Sequence, residues 1–288
     1  MQRSFPAAEL EAAAGAAPTE IRRVESRGYG TNSAHWRVAL ADGRRAFVKV
    51  ALDANAEEWL RGEYLVYSSV RAAFVPELVA WHDGEVTLLA IADLGDAHWP
   101  PPWRPGDVDG VRAALEDLHS TPAPEGLPPI AAERDWLNGW ELVAEDREPL
   151  LATGLCSPAW LDEAFPVLLE TGRTCPIEGD AFLHLDVRSD NLCLRDGQAI
   201  LVDWNFAHVG NPLLDIVAWL PSLKLEGGPD PWVVVPDSEG LAALLAGFFA
   251  SRAGLPPPET APTVREFQRV QAEVALPWAA RELGLTPP

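Results

Sequence analysis

The stretch that decides the fold reads His184-Leu185-Asp186-Val187-Arg188-Ser189-Asp190-Asn191, and Val202-Asp203-Trp204 follows it along the chain. Two short runs of alternating apolar residues lie between these segments and flank the dipeptide Asp196-Gly197. Such a dipeptide favours a tight turn between paired strands. The sequence therefore predicts a β-hairpin whose open end carries the two quoted segments.

Three side chains near that open end carry oxygen atoms. Folding about the turn sets Asn191 opposite Val202, so Asn191 and Asp203 are expected to lie together. Carboxylate and carboxamide oxygens are ligands that Mg²⁺ accepts. Asp186, on the loop before the hairpin, is expected to stand beside them. A base followed by two metal ligands is the order that phosphoryl transfer requires.

This arrangement resembles the aminoglycoside phosphotransferase family, small-molecule relatives of the protein kinases. The family pattern is His-x-Asp-x-x-x-x-Asn, a later Asp, and then Gly-x-Pro-x-x-Asp, which here is Gly210-Asn211-Pro212-Leu213-Leu214-Asp215. The combined spacing is far more specific than any one piece. Two departures concern the mouth of the substrate site: Leu185 stands where many relatives have Gly, and Arg188 with Asp190 occupies a stretch often written with Pro and Gly.

The resemblance implies a two-lobed, protein-kinase-like α+β fold. Residues 1–94 are expected to form a small nucleotide-binding lobe around an antiparallel sheet. Residues 95–288 are expected to form a larger, mainly helical lobe for catalysis and substrate binding. A length of 288 residues, 48% of them hydrophobic, suits two lobes better than one.

The resemblance also implies roles for the quoted residues. Asp186 is the expected base, which accepts the proton of the attacking hydroxyl, and Asn191 and Asp203 are the expected Mg²⁺ ligands. Asp215 is expected to accept hydrogen bonds from the backbone of the catalytic loop. His184 is expected to pack and hydrogen-bond beneath that loop rather than to shuttle protons.

A lysine in an apolar strand points to the nucleotide. Lys49, in Phe47-Val48-Lys49-Val50, is one of only two lysines in the chain, and a compact ammonium suits a point contact with phosphates. Glu63, on a predicted helix, matches the carboxylate that pairs with this lysine in the family. Glu57 and Glu58 are competing candidates, although their charges also suit the start of that helix.

Two further segments are candidates for nucleotide contacts. Gly28 and Gly30 lie in a turn where the backbone could approach the phosphates, although an ordinary hairpin turn explains the same pattern. Asp93 and Leu94 follow a predicted strand where the family has the hinge between lobes, whose backbone is expected to hydrogen-bond the adenine edge.

Composition excludes several partners. The formal net charge of −21 repels phosphate backbones, so nucleic acid is a poor candidate partner, whereas a cation would be attracted. No apolar run approaches a membrane span, and the start of the chain lacks the apolar stretch of a signal peptide. The three cysteines form neither an even set nor a Cys-x-x-Cys pattern, which favours reduced thiols and a cytoplasmic protein.

The acceptor is expected to be a small molecule that bears a hydroxyl and a positive charge, such as an aminoglycoside-like amino sugar. Glu141 and Glu145 share one face of a helix predicted over residues 131–150 and are candidate contacts for ammonium groups, although the helix taken alone favours a solvated acidic face. Arg188 has three open roles: contact with the transferring phosphate, contact with an anionic substrate group, or pairing with a carboxylate.

The expected cofactors are ATP or GTP and Mg²⁺. One alternative keeps the chemistry and changes the acceptor to choline, homoserine or a sugar. Another is a pseudokinase that binds a nucleotide without catalysis, but a module that only binds does not need the base Asp186. A P-loop kinase is disfavoured because no Gly-Lys-Ser/Thr sequence occurs.

Apolar periodicity completes the prediction. Strands are predicted at residues 21–28, 33–40, 44–50, 76–80 and 85–92. Helices are predicted at residues 55–70, 108–118, 131–150, 158–171, 212–220, 240–250 and 263–283.

Overall fold

A computed structural model describes residues 4–25, 32–258 and 261–288. The chain divides into two compact units. The first comprises Met1–Pro100, Pro105–Ala114 and Asp190–Ala207, and the second comprises Pro101–Arg104, Leu115–Ser189 and His208–Pro288. The hairpin predicted from the sequence belongs to the first unit. A division into lobes at residue 94 stays a prediction.

The first unit is built on a five-stranded antiparallel sheet. Its strands, in the spatial order β1-β2-β3-β5-β4, are β1 (Pro18–Val24), β2 (Ser33–Leu40), β3 (Arg45–Ala51), β4 (Leu78–His82) and β5 (Leu88–Ala92). Val48 and Val50 are fully buried on one face of β3, in a core shared with Trp36 and with Leu10 of helix α1 (Ala7–Ala14). Because side chains alternate along a strand, Lys49 is on the other face.

Helix α2 (Ala54–Ser69) follows the sheet strand β3 and begins at a capping residue. The side chain of Asp53 accepts a hydrogen bond from the backbone N–H of Ala56 at 2.8 Å, which satisfies one of the unpaired donors at a helix start. Leu60, Glu63 and Tyr67 recur at helical spacing and are buried, so one face of the helix is directed inward.

The predicted hairpin is confirmed. Strands β7 (Leu192–Arg195) and β8 (Gln198–Leu201) are paired, and Asp196 and Gly197 both have positive φ angles, 53° and 80°, as a two-residue hairpin turn requires. At the open end, the Val202 N–H donates to the Asn191 carbonyl at 2.9 Å. Asn191 and Asp203 therefore leave the hairpin at the same end.

The second unit is mainly helical. Its elements are, in chain order, the end of α3 (Asp107–Ser120), a 3₁₀ turn (Ile130–Glu133), α4 (Arg134–Leu137), α5 (Gly139–Glu145), α6 (Glu148–Ala152), α7 (Pro158–Thr174), β6 (Ala181–Leu183), β9 (His208–Gly210), α8 (Leu213–Leu225), α9 (Pro231–Val234), α10 (Leu241–Ala253) and α11 (Val264–Glu282). Strands β6 and β9 pair antiparallel. Among the residues described, no helix combines the length and the apolar character that crossing a membrane requires.

Helix α10 is buried on nearly every side and lies in the core of this unit. Trp140 of α5 is fully buried, lies against Gly247, and donates from its indole N–H to the Ala243 carbonyl at 2.7 Å. A Cβ on Gly247 would come within 2.6 Å of the Trp140 ring, so the close approach depends on glycine. Losing a buried tryptophan costs about 3–5 kcal/mol in typical cores.

One predicted helix is wrong. Residues 131–150 form a 3₁₀ turn and three short helices rather than one helix. The break at Asn138 (ψ 75°) lets Gly139 touch α10, where a Cβ would meet the Gly247 carbonyl at 2.0 Å, and a second break falls at the extended Asp146. Tertiary packing thus overrides the helical periodicity of this stretch. The other predicted strands and helices are observed with shifted ends, whereas α1, α9, β6 and β9 were not predicted.

Candidate functional site

The first part of the site is an ion cluster around Lys49. Its ammonium donates to both carboxylate oxygens of Glu63 at 2.8 Å and to Oδ1 of Asp203 at 2.8 Å. These three residues come from β3, from α2 and from the end of the hairpin, all within the first unit. Of the candidates considered for pairing with the lysine, the structure brings Glu63 to it.

The cluster holds two carboxylates and one ammonium, and its pKa values reflect that excess of negative charge. Burial opposes the charge on Lys49, but Asp203 and Glu63 outweigh burial, and the pKa of Lys49 is raised. Burial raises the pKa of Glu63 to about 7, with the Lys49 charge acting against this shift and Asp203 adding to it. Lys49 therefore stays charged, while Glu63 titrates near neutral pH.

His35 is the neighbour of this cluster on the sheet. It lies opposite Lys49 in the pairing of β2 with β3 and is buried. Burial and then the charge of Lys49 lower the pKa of His35 to about 4, against the opposite effect of Asp203. Its imidazole is therefore neutral at physiological pH.

Asp203 has an unusual backbone. It follows β8 with φ 71° and ψ 62°, the left-handed region that non-glycine residues seldom adopt. Its N–H donates to the Tyr67 hydroxyl at 3.3 Å, and its carboxylate accepts from Lys49. Asp203 is thus held through both its backbone and its side chain.

The donor set at the hairpin end suits magnesium. Asp203 supplies a carboxylate, and the buried Asn191 supplies a carboxamide oxygen. Among the described residues, no group of three or more His, Cys, Asp or Glu side chains is arranged to hold a metal. Two oxygen-bearing side chains fit a cation that takes its remaining ligands from phosphates and water, as Mg²⁺ commonly does.

The second part of the site is the loop after β6, in the second unit. The carboxylate of Asp215 is fully buried and accepts from the N–H groups of His184, at 3.0 and 3.1 Å, and of Leu185, at 2.6 Å. It also lies 2.9 Å from Nε2 of His119, on α3. The Asp186 N–H donates to Nδ1 of His184 at 3.2 Å. Asp215 and His184 thus contact the backbone that carries Asp186.

Further contacts fix the end of this loop. Nε of Arg188 lies 3.3 Å from Oδ1 of Asp186, and its guanidinium sits over the Phe267 ring at 5.0 Å. The Ser189 hydroxyl donates to one carboxylate oxygen of Glu226. The Trp103 indole donates to the other oxygen at 2.8 Å. Glu226 therefore ties the loop to a tryptophan from an earlier part of the chain.

The expected hinge residues have structural contacts of their own. The Asp93 carboxylate lies 3.2 Å from Arg37 and 3.9 Å from Arg45, and the Leu94 carbonyl accepts from the Trp99 indole at 3.1 Å. Their contact with a nucleotide stays a prediction. Gly28 and Gly30 lie outside the described residues.

Of the two carboxylates predicted to share a helix face, Glu141 is already paired. Glu141 and Glu145 share α5, but Arg173 donates to both oxygens of Glu141, at 2.6 and 3.0 Å. A carboxylate neutralised by a guanidinium is a weak partner for a further cation.

The predicted residues thus fall into two sets. Lys49, Glu63, Asn191 and Asp203 belong to the first unit, whereas His184, Asp186, Arg188, Glu141, Glu145 and Asp215 belong to the second. The boundary falls between Ser189 and Asp190, inside the motif itself. That Asp186 stands beside the hairpin end stays a prediction.

The contact residues that were not predicted include Tyr67, His119 and Glu226. Tyr67 could have been found, because it lies one helical turn after Glu63. No local signal marks His119 or Glu226, whose partners are distant in sequence.

Comparison with known proteins gives a consistent result. A model of the phosphotransferase enzyme family matches residues 24–259. The thiamine kinase of Salmonella heidelberg is 27% identical over 173 residues, which are 58% of this chain and 54% of that protein. The chain therefore matches about half the length of these curated relatives.

Two solved structures are similar over nearly the whole chain. One, assigned as a fructosamine-3-kinase from Thermobifida fusca, has a TM-score of 0.56 and 20% identity and covers 96% of this chain and 98% of its own. The other, a choline/ethanolamine kinase family protein from Mesorhizobium loti, has a TM-score of 0.55 and 14% identity and covers 92% of each chain. These likenesses establish the predicted protein-kinase-like α+β fold.

Proposed function

Because this chain belongs to the phosphotransferase enzyme family, we propose that it moves the γ-phosphoryl group of ATP or GTP onto a hydroxyl of a small molecule. The observation that carries the proposal is the Lys49 ammonium held between Glu63 and Asp203. Its hydrogen bonds hold the ammonium in one position before a nucleotide binds. It is therefore preorganised to contact the nucleotide phosphates.

In this proposal the hairpin end holds the metal. Asp203 and Asn191 bind Mg²⁺ through oxygen, and Asp203 keeps Lys49 close to the same phosphates. A bound Mg²⁺ would offset the negative charge of the nucleotide phosphates.

Asp186 is the proposed base. Its carboxylate orients the acceptor hydroxyl and accepts its proton, and the contacts of His184 and Asp215 keep its loop in place. Arg188, 3.3 Å from Asp186, limits the positions that this carboxylate can adopt. Retention of a base alongside the lysine and the metal ligands argues against a pseudokinase.

The acceptor that we propose is cationic. The net charge of −21 attracts cations, and thiamine and choline, named for two of the similar proteins, each combine a permanent positive charge with a hydroxyl. The match to thiamine kinases favours a metabolic acceptor at least as much as an aminoglycoside.

Glu226 is the carboxylate we propose for the contact with that charge. Its partners Ser189 and Trp103 are neutral donors, so its own negative charge is not cancelled, in contrast to Glu141 beside Arg173. Ser189 is three residues beyond the proposed base. Its hydrogen bond to Glu226 therefore brings this carboxylate next to the catalytic loop. Carboxylate and tryptophan together suit an ammonium or thiazolium group.

A panel assay tests the function. Purified protein is incubated with ATP, Mg²⁺ and single acceptors, and ADP release is measured for thiamine, choline, a fructosamine, an aminoglycoside and a neutral sugar. We expect the cationic compounds to be phosphorylated, with an acceptor KM that rises with salt because screening shortens the reach of charges. Glu226→Gln should raise this KM and weaken its salt dependence, and Glu141→Gln is the matched control. Preference for the neutral sugar would overturn the cationic acceptor, and absence of ADP release with every acceptor would overturn the kinase.

A further inference from the structure

Tyr67 is on α2, the helix that carries Glu63, and contacts Asp203 at the end of the hairpin. It lies one turn after Glu63 on α2 and is completely buried. Its hydroxyl accepts the backbone N–H of Asp203 at 3.3 Å. One hydroxyl thus links the helix that holds the lysine to the proposed metal ligand.

The contact closes a ring. Lys49 is bonded to Glu63 of α2 and to Asp203, and Tyr67 of the same helix accepts the Asp203 N–H. Lys49 fixes the Asp203 carboxylate, whereas Tyr67 fixes its backbone. A displacement of α2 therefore acts on Asp203 through two contacts, one made by Lys49 and one made by Tyr67.

The backbone of Asp203 requires such support. A left-handed conformation is sterically unfavourable for a non-glycine residue, so it persists where surrounding contacts hold it. The φ of 71° sets the direction in which the carboxylate leaves the chain. A donor–acceptor contact at the N–H of this residue opposes rotation into the ordinary regions of φ.

We propose that Tyr67 is a positioning residue: its hydroxyl holds Asp203 in the left-handed conformation and thereby aims the carboxylate at the metal–nucleotide complex. This inference rests on the proposed function, in which Asp203 binds Mg²⁺. It adds a residue that touches neither the phosphates nor the acceptor and acts through Asp203.

A phenylalanine at position 67 removes the hydroxyl of Tyr67 and keeps its aromatic ring. Tyr67→Phe keeps the buried aromatic volume and loses only the hydrogen bond from the Asp203 N–H. Tyr64→Phe is the matched control, since Tyr64 is on the same helix and its ring stacks on Trp81 with centroids 4.4 Å apart, a contact that phenylalanine retains. Melting temperatures of both variants report whether the fold is intact.

Two measurements on the full chain test the inference. Hydrogen exchange of the peptide containing Asp203, without nucleotide or metal, should be about 3- to 10-fold faster in Tyr67→Phe, as expected for the loss of one neutral hydrogen bond. Titration with MgCl₂ at fixed ATP should show a higher half-saturating Mg²⁺ concentration by a similar factor, with metal-free ATP binding unchanged. Tyr64→Phe should match the parent in both.

The outcomes separate the inference from the proposed function. Unchanged exchange, or an unchanged Mg²⁺ requirement, in Tyr67→Phe would overturn the positioning role and leave the kinase proposal standing. Equal changes in Tyr64→Phe would also overturn it, because they would reflect the helix rather than the hydroxyl. ATP binding by the parent that is indifferent to Mg²⁺ would overturn both the metal site and the inference.

Discussion

Leu185 holds a left-handed backbone, with φ 60°, while its N–H donates to the buried carboxylate of Asp215 at 2.6 Å. Glycine adopts positive φ without steric cost, whereas a residue with a Cβ does not. Here the hydrogen bond to Asp215 keeps leucine in a conformation that it would otherwise avoid.

Replacement of Leu185 tests this strain. Leu185→Gly and Leu185→Ala lose the same side-chain packing beyond Cβ, so their difference reports the backbone alone. We expect the glycine variant to be more stable than the alanine variant by about 1 kcal/mol. Urea denaturation measures both, and an alanine variant of equal or greater stability would contradict the strain.

Asp215→Asn should be strongly destabilising. Its amide group would face two backbone N–H donors, leaving buried polar groups poorly paired at a cost of roughly 2–4 kcal/mol. Asp180→Asn, at an exposed position, is the control and should stay within about 0.5 kcal/mol of the parent. Equal denaturation midpoints for the two variants would show that Asp215 does not hold the loop.

Asp186→Asn should separate chemistry from binding. If Asp186 is the base, kcat falls by roughly 10²-fold or more, because the amide cannot accept the proton. The dissociation constant for ATP, measured by calorimetry, should change little. Turnover at the parental rate with the true acceptor would remove Asp186 from the mechanism.

Asp203→Ala should remove the part of the ATP affinity that depends on magnesium. The carboxylate is the charged member of the proposed ligand pair, and alanine supplies no oxygen. Calorimetric titrations with and without MgCl₂ give this difference for parent and variant. The same magnesium dependence in both would locate the metal elsewhere.

His35 and Glu63 should oppose each other in the pH dependence of stability. Folding lowers the pKa of His35 from 6.5 to about 4, so the unfolded chain binds more protons there and stability rises with pH across that window. Folding raises the pKa of Glu63 from 4.5 to about 7, so the folded chain binds more protons and stability falls with pH from 4.5 to 7. The two contributions therefore have opposite signs in the parent between about pH 4.5 and 6.5.

His35→Phe should expose the contribution of Glu63. In protein free of metal and nucleotide, the stability of this variant relative to the parent should decline by of the order of 2 kcal/mol between about pH 5 and about pH 7.5. Denaturation curves across this range measure the difference. Parallel profiles for variant and parent would mean that His35 is not held neutral in the fold.

Local signals explain what the sequence could predict. Asp196-Gly197 between alternating apolar runs specifies the hairpin without reference to the rest of the chain, and Lys49 stands out because lysine is rare here. Where the signal was not local, prediction failed. Strands β6 and β9 have three residues each and pair across a long separation, so periodicity could not reveal them.

The other predictions failed because elements that are distant in sequence pack against each other. Residues 131–150 have the periodicity of one helix, yet contact between Gly139 and α10 breaks it. Glu141 and Glu145 remain together on α5, whereas Glu148, further along the predicted helix, begins a separate helix. Likewise, nothing near His119 indicates its contact with Asp215, 96 positions away.

The assembly of the first unit from three separated stretches has a consequence for synthesis. Lys49 and Asp203 are 154 positions apart, and a ribosome adding about 5–20 residues per second needs about 8–31 s to synthesise that stretch. For that interval the nascent sheet carries its lysine and Glu63 while the hairpin that completes their surroundings has not been made. A chaperone that shields nascent chains therefore has its longest opportunity while the middle of the protein is being translated.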